Sequence, residues 1–134
     1  MREDQIKALK KILDKLINIL LKLAKEIYQK QLEQQKDTRK IVEIIIRLNA
    51  MKYGVDPELA VRVAKCESNL NPKAKRNVPP YGVDRGLYQW NSFFHPEISD
   101  SCAYDPICAS EMFCKAVKEG HLNWWYASKH CWSK

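Results

Sequence analysis

Ala64-Lys65-Cys66-Glu67-Ser68-Asn69-Leu70-Asn71-Pro72 is followed, after ten intervening residues, by Val83-Asp84-Arg85-Gly86-Leu87-Tyr88-Gln89-Trp90-Asn91-Ser92. The first stretch ends a helix. Asp56-Pro57-Glu58 supplies a cap, a first-turn proline and a first-turn acid, so a helix opens there, runs to about Asn69 and is stopped by Asn71-Pro72. Glu67 therefore sits near a helix C-terminus, where a carboxylate opposes the macrodipole and is not an obvious stabilising choice. Pro79-Pro80-Tyr81-Gly82 is a turn signal, so residues 74–91 read as a short hairpin or irregular β segment with Asp84 just past the turn. On such a strand Tyr88 and Trp90 alternate with Gln89 and Asn91, and one pair faces the core while the other faces outward.

Working outward, residues 106–119 and 121–129 read as two further short helices. Upstream, Asp37 or Thr38 caps a helix whose core face is Ile41, Ile44, Ile45 and Leu48 and which Gly54 ends. Residues 1–53 lack Gly, Pro, Cys and Trp altogether, whereas the rest holds all four Gly, six Pro, five Cys and four Trp. Within that first part Ile6, Leu9, Leu13, Leu16, Leu20, Leu23 and Ile27 follow one another at alternating intervals of three and four, the heptad seam of an amphipathic helix reaching about Tyr28. Ile12, Ile17, Ile19, Leu21 and Ala24 widen the apolar stripe beyond a two-stranded seam. Something must cover it, and three covers are open: self-association through residues 5–28, packing on its own domain, or a membrane surface. The division expected is 1–37, an amphipathic helix of coiled-coil type, and 38–134, a folded domain.

The chain has 134 residues with 23 basic and 16 acidic side chains, a formal +7 at neutral pH, and a length that admits one domain plus an appendage. Residues 1–40 carry 11 basic and 6 acidic groups, so most of the excess lies at the N-terminus. A basic balance favours acidic partners of any kind, but no aromatics interleave with a basic stripe and no zinc-finger or helix-turn-helix spacing appears, which argues against nucleic acid. No apolar run approaches the length of a membrane span, and Lys interrupts the N-terminal apolar stretch too often for a signal peptide. The five cysteines, Cys66, Cys102, Cys108, Cys114 and Cys131, suit an oxidising compartment with two bridges and one thiol left over. Cys102 and Cys108 flank only five residues, short enough to be closed by a bridge; the alternative is a zinc site from Cys102, Cys108, Cys114 and His121, whose spacing fits no common finger. His95 and His130 read as surface residues.

Glu-Ser-Asn-Leu at 67–70, with Asp-Arg-Gly-Leu-Tyr-Gln-Trp-Asn-Ser beginning 17 residues after the Glu, resembles the active-site segment of the lysozyme superfamily. The c-type lysozymes have Glu-Ser-Asn-Phe, the same gap, and Asp-Tyr-Gly-Ile-Leu-Gln-Ile-Asn-Ser. Soluble lytic transglycosylases are similar in their Glu-Ser and Gly-Leu-Met-Gln, and resuscitation-promoting factors in Cys-Glu-Ser with a late Trp and Cys. The resemblance covers residues 55–132. It departs from c-type lysozymes in placing Cys66 beside the Glu rather than five residues before it, and in carrying fewer bridges. The fold it implies is α+β and mostly helical: a lysozyme-like domain with a small β hairpin, preceded by the N-terminal amphipathic helix. By likeness to the Cys-Glu-Ser families Cys66 pairs with Cys131, leaving Cys114 free, with Cys114 to Cys131 as the rival pairing.

The resemblance further implies cleavage of the β-1,4 bond between N-acetylmuramic acid and N-acetylglucosamine, with peptidoglycan glycan strands as partner, no cofactor or metal, and an extracellular, cell-wall or periplasmic location. Such cleavage needs a proton for the leaving oxygen and stabilisation of the positive charge on the sugar. Glu67 is the expected general acid, its proton retained by apolar surroundings, an effect for which lysozyme itself is the type case; the other reading is an exposed helix-end acid. Asp84 is the expected nucleophile or ion stabiliser, or else a salt bridge to Arg85 or a turn cap. Lytic transglycosylases lack that second acid and close a 1,6-anhydro ring instead, so a functional Asp84 favours hydrolysis. Ser68, Gln89, Asn91, Tyr88, Trp90 and Tyr126 are the expected substrate-binding set. Gln89 and Asn91 match positions that contact N-acetyl sugars, where amide side chains offer donor and acceptor together. The transglycosylases have a Tyr-Asn element in their later part that this chain lacks, with Tyr126 the expected stand-in, and the cluster Asn123-Trp124-Trp125-Tyr126 serves either sugar stacking or the core. The rival from another class is a non-catalytic peptidoglycan-binding protein anchored by its N-terminal helix.

Overall fold

A computed structural model describes residues 1–133. Helix α1 spans Glu3–Glu33, α2 Arg39–Tyr53 and α3 Pro57–Ser68; strands β1 (Lys75–Asn77), β2 (Val83–Arg85) and β3 (Trp90–Asn91) follow. Helices α4 (Asp100–Ala103) and α5 (Pro106–Lys118), 3-10 turns over Leu122–Ser128 and a last helix α6 (Lys129–Trp132) complete the chain. The architecture is mostly helical α+β, as the sequence predicts. Asp56 Oδ1 accepts from the Glu58 N–H at 3.0 Å, and Asp105 Oδ1 from the Ile107 N–H at 3.0 Å, each just ahead of a first-turn proline, so α3 and α5 begin by the same device. Asp37 does the equivalent for α2 by accepting from the Arg39 N–H.

One core runs through the helices. Val42, Ile45 and Ile46 of α2, Val63 and Ala64 of α3, and Ala109 and Phe113 of α5 are fully or almost fully buried. Asn49 lies among them as a polar stitch: its Nδ2 donates to Ser110 Oγ at 2.7 Å and to the Ile107 carbonyl at 3.0 Å, tying α2 to α5. The expected α2 face of Ile41, Ile44, Ile45 and Leu48 is rotated in the structure. Ile41 and Ile45 are buried, but Ile44 is exposed and Leu48 only half-buried, while Val42, Ile46, Asn49 and Ala50 turn inward. The reason is that α2 packs on α1, α3 and α5 together, so a single narrow stripe does not describe its buried surface.

Helix α1 departs most from expectation. It continues to Glu33, past Tyr28, and residues 34–38 fold the chain back into α2. The side chains it buries are Ile17, Leu21, Ala24 and Tyr28, and every residue of the heptad seam from Ile6 to Ile27 stays exposed. The helix thus has two apolar faces, one seated on its own domain and one open.

The β region is a three-stranded antiparallel sheet in the order β1-β2-β3 rather than a two-stranded hairpin. Its register pairs Arg76 with Asp84 and Asp84 with Asn91. Gly86, at φ +75°, ends β2 where the backbone passes against α4; a Cβ there would overlap the Ala103 carbonyl oxygen. The segment 121–129, expected as one α-helix, is instead 3-10 in character and interrupted at Trp125, because Trp125 turns inward to pack and α6 then restarts.

Candidate active site

Glu67 is the penultimate residue of α3. Asn69 and Leu70 behind it both adopt left-handed backbone (φ +53° and +60°), and the Ser68 hydroxyl bonds the Ala64 and Leu87 carbonyls at 3.0 and 2.8 Å. Asn tolerates that conformation well, so the helix breaks sharply while Ser68 locks its last turn onto the loop between β2 and β3. On the far side the Cys66–Cys131 disulfide and an Arg62 Nε bond to the Trp132 carbonyl at 3.0 Å hold α3 to the C-terminal helix. Glu67 is thereby fixed from both sides at the wall of a cleft of about 600 Å³.

Burial pushes the Glu67 carboxyl above the ordinary glutamate value of 4.5, more than any other influence. The nearby Ser128 hydroxyl works against this, Asp84 reinforces it and Arg76 opposes it. A carboxyl that keeps its proton can deliver it to a leaving oxygen. Asp84, on the central strand and lining the same cleft, has both oxygens engaged: Oδ2 accepts from Arg76 Nη2 at 2.8 Å and Nε at 3.2 Å, and Oδ1 from Asn91 Nδ2 at 2.9 Å. The sheet register dictates this, since residues directly opposite on antiparallel strands put their side chains on one face. Arg85 is not the partner of Asp84. It is buried and donates to Asp100 and to the Trp90 carbonyl, both at 2.9 Å, so the alternative salt bridge is overturned.

A helix-end glutamate facing a small antiparallel sheet across a cleft is what the motif pair implies. A family model described as lysozyme like domain matches residues 47–128. The chain belongs to that lysozyme-like family. Its members are typically glycosidases or lytic transglycosylases. The matched segment starts within α2 and holds Glu67 and the whole sheet of this lysozyme-like domain, while α1 and Cys131 fall outside it. Neither the comparison with curated proteins nor that with solved structures finds a match.

The cleft of the lysozyme-like domain brings together Glu67, Asp84, Gln89, Asn91, Tyr88 and Trp90. They are not equivalent there. Tyr88 and Trp90 are buried, with Tyr88 Oη donating to the Ala60 carbonyl at 2.9 Å, Trp90 Nε1 to the Ala109 carbonyl at 3.2 Å, and Tyr88 stacked on Phe113 at 4.2 Å. Gln89 stands on a turn at φ +53° rather than on a strand, and its Nε2 donates to the Gly86 carbonyl at 3.0 Å. Asn91 also accepts from the Phe93 and Phe94 N–H groups, holding the loop after β3. Ser68 and Tyr126 do not line the cleft: the Ser68 hydroxyl is committed to two carbonyls, and Tyr126 projects to solvent, 73% exposed.

The aromatic cluster divides. Trp125 is core, its Nε1 donating to the Tyr88 carbonyl at 2.9 Å, while Trp124 is half open on the cleft, with His121 stacked on its ring at 4.3 Å and His95 tilted against it at 4.7 Å. His95, expected at the surface, lines the cleft with its side chain mostly covered, because Trp90 and Trp124 both pack on it. Arg76, Tyr81 and Phe94 are cleft residues that sequence reading missed. A signal for Arg76 existed: a hairpin centred on Pro80 sets 76 opposite 84. The second disulfide is Cys102–Cys108, and Cys114 is a buried free thiol. With those sulfurs bonded to each other, the alternative zinc set is dissolved; among the described residues no three His, Cys, Asp or Glu side chains gather as a metal site.

Proposed function

We propose that this chain is a peptidoglycan-cleaving glycosidase, a muramidase that cuts the β-1,4 bond between N-acetylmuramic acid and N-acetylglucosamine with Glu67 as general acid and then base. One observation carries the reading: a half-buried glutamate whose proton affinity is raised by burial, rigidly mounted on the wall of a glycan-sized cleft. In this reaction Glu67 protonates the leaving glycosidic oxygen, the C1–O bond breaks, and a water that Glu67 deprotonates completes hydrolysis. Asp84, held in place by Arg76 and Asn91, turns its carboxyl group toward the oxocarbenium-like sugar. Gln89 and Asn91 border the bound glycan, and Trp124 offers an aromatic face to a sugar ring. The two disulfides and the wall substrate agree with an extracellular or periplasmic setting.

A second reading, lytic transglycosylation, is favoured by one observation: both Asp84 oxygens are already held, by Arg76 and Asn91, so no free carboxylate edge is presented for nucleophilic attack. Mass spectrometry of soluble products from isolated peptidoglycan separates the two, with Glu67→Gln as control. Reducing N-acetylmuramic acid ends establish hydrolysis and 1,6-anhydro ends transglycosylation. Binding to the wall with no product at all leaves a non-catalytic binding protein and overturns both.

A further inference from the structure

The open face of α1 is the largest feature of the molecule that the cleft does not use. The helix is 31 residues long and its partner α2 only 15, so its N-terminal part overhangs the domain; residues 1–13 bury no side chain. A free overhang of three turns is not stable on propensity alone. Along it and beyond, the seven seam residues from Ile6 to Ile27, together with Ile12 and Ile19, are each 46–57% exposed and form one stripe about 33 Å long.

We propose that this stripe is covered by the same stripe of a second copy of the chain. Three observations choose that occupant. The seam repeats at three and four residues without a break over three heptads, the spacing at which side chains of one helix interlock with those of another, whereas a lipid surface accepts any apolar face. Next, the seam itself carries no charge and, of the positions e and g that flank it, only Lys10 and Glu26 are charged, with opposite signs, while Lys7, Lys11, Lys15, Lys22 and Lys25 occupy b, c and f, so two stripes meet with little opposition of like charges. Finally, the nine half-exposed aliphatic side chains offer on the order of 800 Å² per copy, the share each partner contributes to a standard-size stable interface. The domain-facing residues Ile17, Leu21, Ala24 and Tyr28 occupy positions e and b, to one side of the seam, while its other flank, with Ile12 and Ile19, stays exposed. The pair would carry two clefts on one particle, which raises avidity for a polymeric glycan without a new contact at either cleft.

Sedimentation equilibrium of the full chain over a wide concentration range tests this. Twice the chain mass is expected, falling to the single-chain mass in the Leu9→Lys/Leu13→Lys variant, whose sites lie in the overhang and are about half exposed. Circular dichroism and the thermal midpoint of that variant at the cleft-bearing domain confirm that it folds, and Lys7→Glu/Lys11→Glu on the opposite face should leave the pair intact. A single-chain mass for the wild type at every concentration overturns the proposal. So does a wild-type monomer that floats with phosphatidylglycerol vesicles, which would make lipid the occupant, and so does a pair that survives the seam substitutions or dissolves with the lysine-face ones.

Discussion

Arg76 stands directly across the β1–β2 ladder from Asp84, and its guanidinium holds one carboxylate oxygen at 2.8 Å while Asn91, from the other neighbouring strand, holds the second at 2.9 Å. The three residues form a cross-strand row in which a single acid is clamped between two donors. Arg76 also bears on Glu67, since its positive charge lowers the affinity of that carboxyl for its proton. Replacing Arg76 by Gln removes this influence and leaves the Asp84 charge unopposed, so both changes push the Glu67 carboxyl further up. Lysis of purified walls should lose activity on the alkaline side at a higher pH in Arg76→Gln than in wild type. An unmoved or downward-shifted alkaline limb would show that Glu67 is not the acid being titrated.

Glu67→Gln should abolish lysis, by about 10²-fold or more, because general acid catalysis of this kind contributes roughly 10²–10⁴. Wall binding should persist, measured by co-sedimentation with insoluble peptidoglycan.

The same substitution has a signed effect on stability. The folded carboxyl binds its proton more tightly than the unfolded one, so its contribution is complete below the ordinary value of 4.5 and is lost as pH rises through the raised folded value. Relative to wild type, Glu67→Gln should therefore gain in thermal midpoint between acidic and neutral pH. A gap that stays constant, or narrows, contradicts the burial of this group.

Cys66 neighbours Glu67, and its bridge to Cys131 closes 65 residues of chain. Cys66→Ser with Cys131→Ser should cost about 2–5 kcal/mol in denaturant unfolding. Lysis should fall as well, since α3 loses its covalent tie to α6 one residue from the acid.

Gly86→Ala combines a left-handed backbone with a Cβ aimed at the Ala103 carbonyl, so the sheet must move away from α4. A loss of about 3 kcal/mol or more is expected, placing it among the severe single substitutions. A variant with a wild-type midpoint would mean that the approach of β2 to α4 is looser than its geometry implies.

Cys114 should resist iodoacetamide in the native protein and react only on unfolding. Burial, assisted by the neighbouring Glu111, pushes its thiol up to about 12, so almost no thiolate exists at neutral pH. Mass spectrometry of alkylated native protein checks this directly.

What the amino-acid order determined by itself was local or motif-borne. The caps Asp56-Pro57 and Asp105-Pro106 specify where α3 and α5 start because the donor, the acceptor and the ring constraint all lie within three residues. Glu67 at a helix end and Asp84 beyond a turn were legible for the same reason, and the family followed from their fixed spacing. Tertiary structure decided everything that depends on which surfaces meet. A 3-4 repeat marks a helix as amphipathic but not which of two apolar faces its own domain takes, and the domain took Ile17, Leu21, Ala24 and Tyr28 instead of the seam. Likewise the alternation of Tyr88, Gln89, Trp90 and Asn91 shows two sides, but the turn at Gln89 and the donors around Asp84 come from strand register, which pairs residues distant in the chain. Proton affinity at Glu67 belongs to the same class, because burial is the sum of what every other element brings to one carboxyl.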